Sequence, residues 1–289
     1  MVSELSRIAL LPYMRVARAL RLPLLIANPF AIYRQPLHAP GFPLVLLYTG
    51  KAGSGSLIKW FLFQTGHLEE PADLHRGLHQ RQRSLAAQQP GYHWEALRLI
   101  VRHEKPIFKL VRNPYDRAVS SFLAMLDHTQ DRKCNPWGLA PIAAARKLSG
   151  KPAATVPALS FRDFVRFLVR TGTERGEING HVARQHLPGE ERRIDRILKL
   201  ERFAEEMRQI ESEYSLARSP VEVIGRPHNQ QSRPQMERNR VDCVADLEFT
   251  PQHVREGHFP PYAAFYDDET RRLVRQCFAA DFDAYGYDS

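Results

Sequence analysis

Residues 43–63 constrain this chain more than any other stretch. An apolar run from Pro43 to Tyr48 enters a loop of small residues, and a second run from Leu57 to Phe63 leaves it. The first run reads as a buried strand and the second as a helix. Between them stand Lys51, Ala52, Gly53, Ser54, Gly55 and Ser56. A strand, a loop without bulky side chains and a helix start present backbone N–H groups to an anion. The lysine adds a charge, so the loop reads as a phosphate or sulfate site. The ATP-type loop has its lysine after the glycines, whereas Lys51 precedes Gly53 and Gly55. On the loop alone, a plain Gly/Ser turn beside a surface lysine is an equal alternative.

Residues 106–111 form a second strand-like run, and Arg112-Asn113-Pro114 follows it. Asn113 suits a helix N-cap and Pro114 the first helical position. Ala118, Val119, Phe122, Leu123 and Leu126 give that helix an apolar face. Ser120 falls about two turns in. A guanidinium at a strand end and a hydroxyl on the next helix can grip a phosphate, although Arg112 alone would serve equally as an ion-pair residue.

Elsewhere, residues 66–90 read as an exposed helix and loop, and Tyr92 to Val101 as a short helix. Residues 127–156 read as a loop, and Ser160-Phe161-Arg162-Asp163 as a capping box opening a helix through Arg170. Ile194 to Leu200 is a third strand and Arg202 to Tyr214 a helix. Val221 to Ile224 is expected as a fourth strand, residues 226–258 as irregular, and Asp267 to Asp281 as the last helix. Strands alternating with helices predict an α/β fold with a parallel sheet and ligands at the strand ends.

The 289 residues are enough to bury a proper core, and 1–289 is expected to be one domain, with 1–42 a helical and linker segment before a core at 43–289. Lys and Arg number 41 against 32 Asp and Glu, a net charge of +9. Such a balance favours anionic partners without naming one. Aromatic residues are not interleaved with the basic runs, so no nucleic-acid module is indicated. Cys134, Cys243 and Cys277 lack metal-ligand spacing and read as reduced thiols. No metal is expected. Residues 1–30 mix apolar residues with arginines and hold no run long enough to span a bilayer. They read as a helix packed on the domain, with a basic helix lying on anionic membrane as the alternative.

Taken together, the two loops resemble those of PAPS-dependent sulfotransferases. Residues 51–57, Lys-Ala-Gly-Ser-Gly-Ser-Leu, resemble the family's 5′-phosphosulfate loop, and residues 110–121 its 3′-phosphate motif. Weaker matches to the carbohydrate branch, of the heparan and chondroitin sulfotransferase type, follow in order. They are residues 160–164, 178–185, 198–203, 228–233 and 281–287. The family usually has a hydroxyl residue where Gly55 stands and an aspartate where Asn113 stands.

The resemblance implies a P-loop-like central parallel sheet flanked by helices. It also implies in-line transfer of a sulfuryl group from PAPS to a carbohydrate or glycoconjugate hydroxyl, with 3′-phosphoadenosine 5′-phosphate leaving. On that model Lys51 meets the bridging oxygen, and the backbone from Lys51 through Ala52, Gly53, Ser54, Gly55 and Ser56 to Leu57 holds the 5′-phosphate. Arg112 and Ser120 hold the 3′-phosphate, and Asn229, Ser232 and Arg233 add nucleotide contacts. His93, placed ahead of Pro106 like the base of a heparan sulfate 2-O-sulfotransferase, is the first candidate base, and His181 in Asn179-Gly180-His181 the second. His103 and Glu104 precede a strand start, the wrong end of the sheet for a ligand. Eukaryotic glycan sulfotransferases carry a Golgi anchor that this chain lacks, so a bacterial cytoplasmic enzyme is expected, peripheral to the inner membrane if residues 1–30 bind it. A nucleotide-dependent phosphotransferase and a non-catalytic polyanion-binding protein are the competing classes.

Overall fold

The structure is a computed structural model describing residues 35–68, 78–127, 139–152, 156–174, 178–225, 243–257 and 259–288. In chain order the elements are β1 (Val45–Tyr48), α1 (Ser54–Gln64), α2 (Leu78–Gln88), α3 (Tyr92–Arg102), β2 (Ile107–Val111), α4 (Pro114–Asp127) and α5 (Leu139–Leu148). Then come β3 (Leu159–Ser160), α6 (Phe161–Thr171), β4 (Arg196–Lys199), α7 (Phe203–Glu213) and α8 (Val221–Ile224). The chain closes with β5 (Glu248–Phe249), α9 (Pro251–Glu256), α10 (Asp268–Cys277) and α11 (Ala279–Tyr285). They fall into two compact units, one from residues up to Val111 plus Gln185–Gly225, the other from Arg112–Arg184 plus the chain from Arg226 on.

In the first unit β1, β2 and β4 form a parallel sheet in the order β1-β2-β4. Leu47 pairs with Lys109, and Lys109 in turn with Ile197. Every residue of β1 and β2 is buried, as expected of parallel strands covered on both faces. Alternation sorts the side chains. Leu46, Tyr48, Phe108, Leu110 and Leu198 face Leu57, Trp60 and Phe61 of α1 and Phe203 and Met207 of α7. Val45, Leu47 and Ile107 face Leu99 and Ile100 of α3. Lys109 lies on that second face, fully buried, its ammonium 2.6 and 2.8 Å from the Glu190 oxygens and 2.7 Å from the Gln185 carbonyl. The arrangement is the parallel α/β sheet flanked by helices that the sequence predicts.

The second unit is built on aromatic packing: Phe122 of α4 meets Phe161, Phe164, Phe249 and Phe265. The two-residue strands β3 and β5 pair antiparallel, Leu159 opposite Phe249. Ser160 caps α6, accepting from the Asp163 N–H at 3.2 Å, while the Asp163 carboxylate takes Lys151 and Ser149. Arg162, nearly buried, ties α6 to Asp246, Asp267 and Glu269. Burial raises the Asp267 carboxyl, but the Thr270 N–H bond and, after it, the Arg162 contact hold it well below its ordinary range.

Four local expectations change. Val221–Ile224 is one turn of helix, not a strand: the N–H groups of Val223 and Ile224 both reach the Pro220 carbonyl, and Gly225 closes on Val221. A four-residue apolar run carries too little periodicity to choose between the two. The expected loop 127–156 contains α5, whose Ile142 and Ala145 reach the core. The stretch 226–258 includes β5 and α9. The last helix is two helices, broken at Phe278, which leaves helical dihedrals at φ −120°, ψ 25°.

Candidate functional site

The loop after β1 is shaped by two left-handed residues. Lys51 has φ 65° and Gly53 φ 82°, ψ 22°. For lysine that conformation costs about 1 kcal/mol or more, and such strain gathers at ligand sites. Gly53 is the N-cap of α1, and no side chain caps this helix start. The first intrahelical bond runs from Leu57 N–H to the Gly53 carbonyl at 3.1 Å. The donors of the opening turn therefore lie ahead of that bond, at the positive end of the helix dipole.

Glycine at 53 is dictated twice. Its φ is left-handed, and a Cβ there would run into the Leu200 side chain and sit 3.2 Å from Leu110 Cδ2. Gly55 is different. Its φ is ordinary, and the nearest group to an added Cβ is Leu78 Cδ2 at 3.8 Å. The hydroxyl residue that the resemblance expects would fit there. Ala52 and Leu57 are buried, while Lys51, Ser54, Gly55 and Ser56 are half-buried.

His93 stands in the first turn of α3. That helix packs on β1 and leads into the start of β2. The ring is half-buried and meets Tyr92 edge-on at 5.8 Å. Burial lowers its pKa, favouring the neutral imidazole a base requires. Tyr92 is fastened beneath it: its hydroxyl donates to the Pro36 carbonyl at 2.7 Å, and its carbonyl meets His38 Nε2 at 3.1 Å. His103 lies at the strand starts, 2.9 Å from Asp195, which also accepts the Ile107 N–H.

In the second unit Arg112 precedes α4 and Ser120 lies about two turns into it. Asn113 caps it, accepting from the Tyr115 N–H at 2.9 Å. The Arg112 guanidinium is 5.6 Å from the Tyr262 ring centre and 4.0 Å from Asp116. Ser120 is half-buried. The same helix secures His181. Ser121 Oγ donates to the His181 carbonyl at 2.7 Å, and buried Arg117 donates to the Ala183 carbonyl at 2.7 Å. Asn179 Oδ1 accepts both the His181 N–H, at 2.9 Å, and a bond from Nδ1, at 2.8 Å. An oxygen that accepts from a backbone N–H is an oxygen and not the amide nitrogen, so Nδ1 carries the proton and Nε2 the lone pair in the neutral ring.

Asn229, Ser232 and Arg233 lie outside the described residues, as do Cys134 and residues 1–30. Cys243 and Cys277 are free thiols, and burial pushes Cys277 up to about 12. Among the described residues no helix is long and apolar enough to cross a membrane, and no His, Cys, Asp and Glu cluster could hold a metal. Sequence reading passed over Arg117 and Ser121, whose role depends on a contact some sixty residues away, and Lys59, which interrupts an otherwise apolar run in α1.

Neither a curated protein nor a solved structure matches the chain. A family model does match: it spans residues 36–288, taking in the lysine loop and the start of α4, and the chain belongs to the sulfotransferase family.

Proposed function

We propose that this sulfotransferase uses PAPS and places the sulfuryl group on a hydroxyl of a carbohydrate or glycoconjugate. The observation that carries the reading is the uncapped start of α1 set behind Lys51. That is an anion site with a cation at its lip, and it fits the phosphosulfate end of such a donor. PAPS supplies a sulfuryl group on a phosphate leaving group. Backbone N–H groups from Gly53 to Leu57 hold the 5′-phosphate, and Lys51 neutralises the charge growing on the bridging oxygen. Arg112 and Ser120 take the 3′-phosphate that distinguishes this donor from ATP.

His93 takes the acceptor proton, its neutral form favoured by burial. A second reading gives that role to His181, because Asn179 fixes its tautomer with Nε2 as the basic nitrogen. The net charge of +9 suits an acidic glycan acceptor.

Calorimetry with 3′-phosphoadenosine 5′-phosphate, with and without Mg²⁺, tests the donor. Tight binding that ignores the metal is expected. Binding only of ATP with Mg²⁺ would make the chain a phosphotransferase, and glycan binding without nucleotide binding would make it a polyanion-binding protein. The base is the histidine whose alanine variant loses transfer of labelled sulfate while keeping nucleotide affinity; His93 is expected, and full activity in His93→Ala would pass the role to His181.

A further inference from the structure

His38 lies in the segment ahead of β1, buried to 3 % exposure. Among the described residues its hydrogen bonds and its ring contact all go to Tyr92. Nε2 is 3.1 Å from the Tyr92 carbonyl, the two rings stack at 4.0 Å and 30°, and the His38 N–H donates to the Tyr92 hydroxyl at 3.3 Å. A carbonyl only accepts, so Nε2 carries the proton. Burial lowers the His38 pKa and keeps this ring neutral, with Lys105 and His93 acting the same way and the Tyr92 bond and Glu95 opposing. A phenylalanine would keep the stacking without burying an imidazole, so the ring nitrogen is what histidine adds.

The Tyr92 carbonyl belongs to the peptide that carries the His93 N–H. A bond to it fixes the plane from which the His93 side chain departs. The N-cap of α3 is Gly91, which offers no side chain to the open N–H groups of that first turn. His38 is itself held in place. Its neighbour Leu37 pairs antiparallel with Leu46 of β1, through bonds of 3.0 and 2.9 Å. Lys105, just ahead of β2, donates to the Ala39 and Phe42 carbonyls at 3.1 and 2.6 Å. β1 is the strand that runs into the Lys51 loop. The strap of residues 36–42 therefore ties the first turn of α3 to the same strand that carries the anion loop.

We propose that His38 is a positioning residue for sulfuryl transfer, holding the Tyr92–His93 peptide so that the His93 ring keeps its place as the base. This rests on the reading of His93 given above. His38 acts through Tyr92 and not on the substrates. The strap gives base and donor loop one common reference, the strand β1.

The test uses the full chain with two variants. His38→Phe keeps a stacked ring and loses the donor, and His38→Gln keeps an N–H at the reach of Nε2. Turnover is read as labelled sulfate passed from PAPS to the member of a panel of desulfated glycans that wild type sulfates fastest. In His38→Phe, kcat is expected to fall roughly 10- to 100-fold, the range for one stranded buried acceptor or a misplacement of about 1 Å. Affinity for 3′-phosphoadenosine 5′-phosphate and the acceptor KM are expected to stay unchanged. His38→Gln is expected to recover most of kcat. NMR of histidine-labelled protein follows His93 itself, which should titrate at higher pH in His38→Phe, because a loosened ring loses the burial that lowers its pKa. His38→Gln removes the same imidazole and should leave that titration as in wild type. The other titratable groups around His38, namely Tyr92, Glu95, Lys105 and His67, are the same in both variants. Wild-type kcat in His38→Phe, with His93→Ala inactive, overturns the inference and leaves the base reading standing. Loss of kcat in both variants, or an unmoved His93 titration in His38→Phe, makes His38 a structural residue and overturns it too. Full activity in His93→Ala overturns the base reading, and this inference with it, as does a wild type that sulfates none of the panel.

Discussion

Two buried lysines sit in the first unit, and their surroundings are opposite. Lys109, on the middle strand β2, is enclosed by both Glu190 oxygens and the Gln185 carbonyl. Lys59, on α1, has none of this from the described residues. The contrast separates a cation paired inside the fold from one with no counter-charge among the described residues. Burial alone does not distinguish them; the counter-charge does. Lys51 differs from both in its backbone, which is left-handed at φ 65°.

The comparison breaks most readily at Lys109. Lys109→Met strands Glu190 in the interior, and a loss of about 3–5 kcal/mol is expected in urea denaturation. A double variant with Glu190→Leu should recover much of it, and failure to recover would mean that the pair is not what Lys109 is there for. Lys51→Ala should behave in reverse. Removing one preorganised charge-stabilising group costs about 2.7–4 kcal/mol in turnover, while a change at a half-exposed loop position leaves stability within about 0.5 kcal/mol. Turnover assays beside thermal melts check both halves. The smallest contrast lies within the loop. Gly53→Ala forces a left-handed alanine against Leu200 and should destabilise by about 1–2 kcal/mol, and Gly55→Ser, with room and ordinary dihedrals, should stay within about 0.5 kcal/mol. Equal effects of the two would remove the steric reason for glycine at 53.

What the sequence disclosed was local. Arg112-Asn113-Pro114 announces a helix start because a cap and a proline act within a few residues, and Asn113 does accept from Tyr115. The lysine loop was legible for the same reason, as a change from apolar to small residues and back. Lys59 was hidden by its neighbours, since a run of apolar residues on both sides reads as core whatever stands in the middle. Ser121 and Arg117 were illegible for another cause: nothing near them in the chain refers to His181, and only tertiary packing joins them. Val221–Ile224 failed through shortness. The placement of the histidines followed the same division. His93 could be assigned to a helix start from its surroundings, and the Asn179 bond that fixes the His181 tautomer required coordinates.

The order of the strands has a consequence for how the chain is made. Sheet order β1-β2-β4 joins segments far apart in sequence: the Ile107 N–H meets Asp195 across 88 residues, and Lys109 meets Glu190 across 81. At ribosomal speeds of about 5–20 residues per second, β2 waits several seconds for the strand that will cover its outer edge. An uncovered apolar strand invites pairing with a second chain, and an inward-facing lysine is among the devices that prevent it. Until residue 190 emerges, Lys109 is a hydrated charge in the centre of Ile107–Val111. The residue that closes the finished sheet is thus also the gatekeeper of the unfinished one.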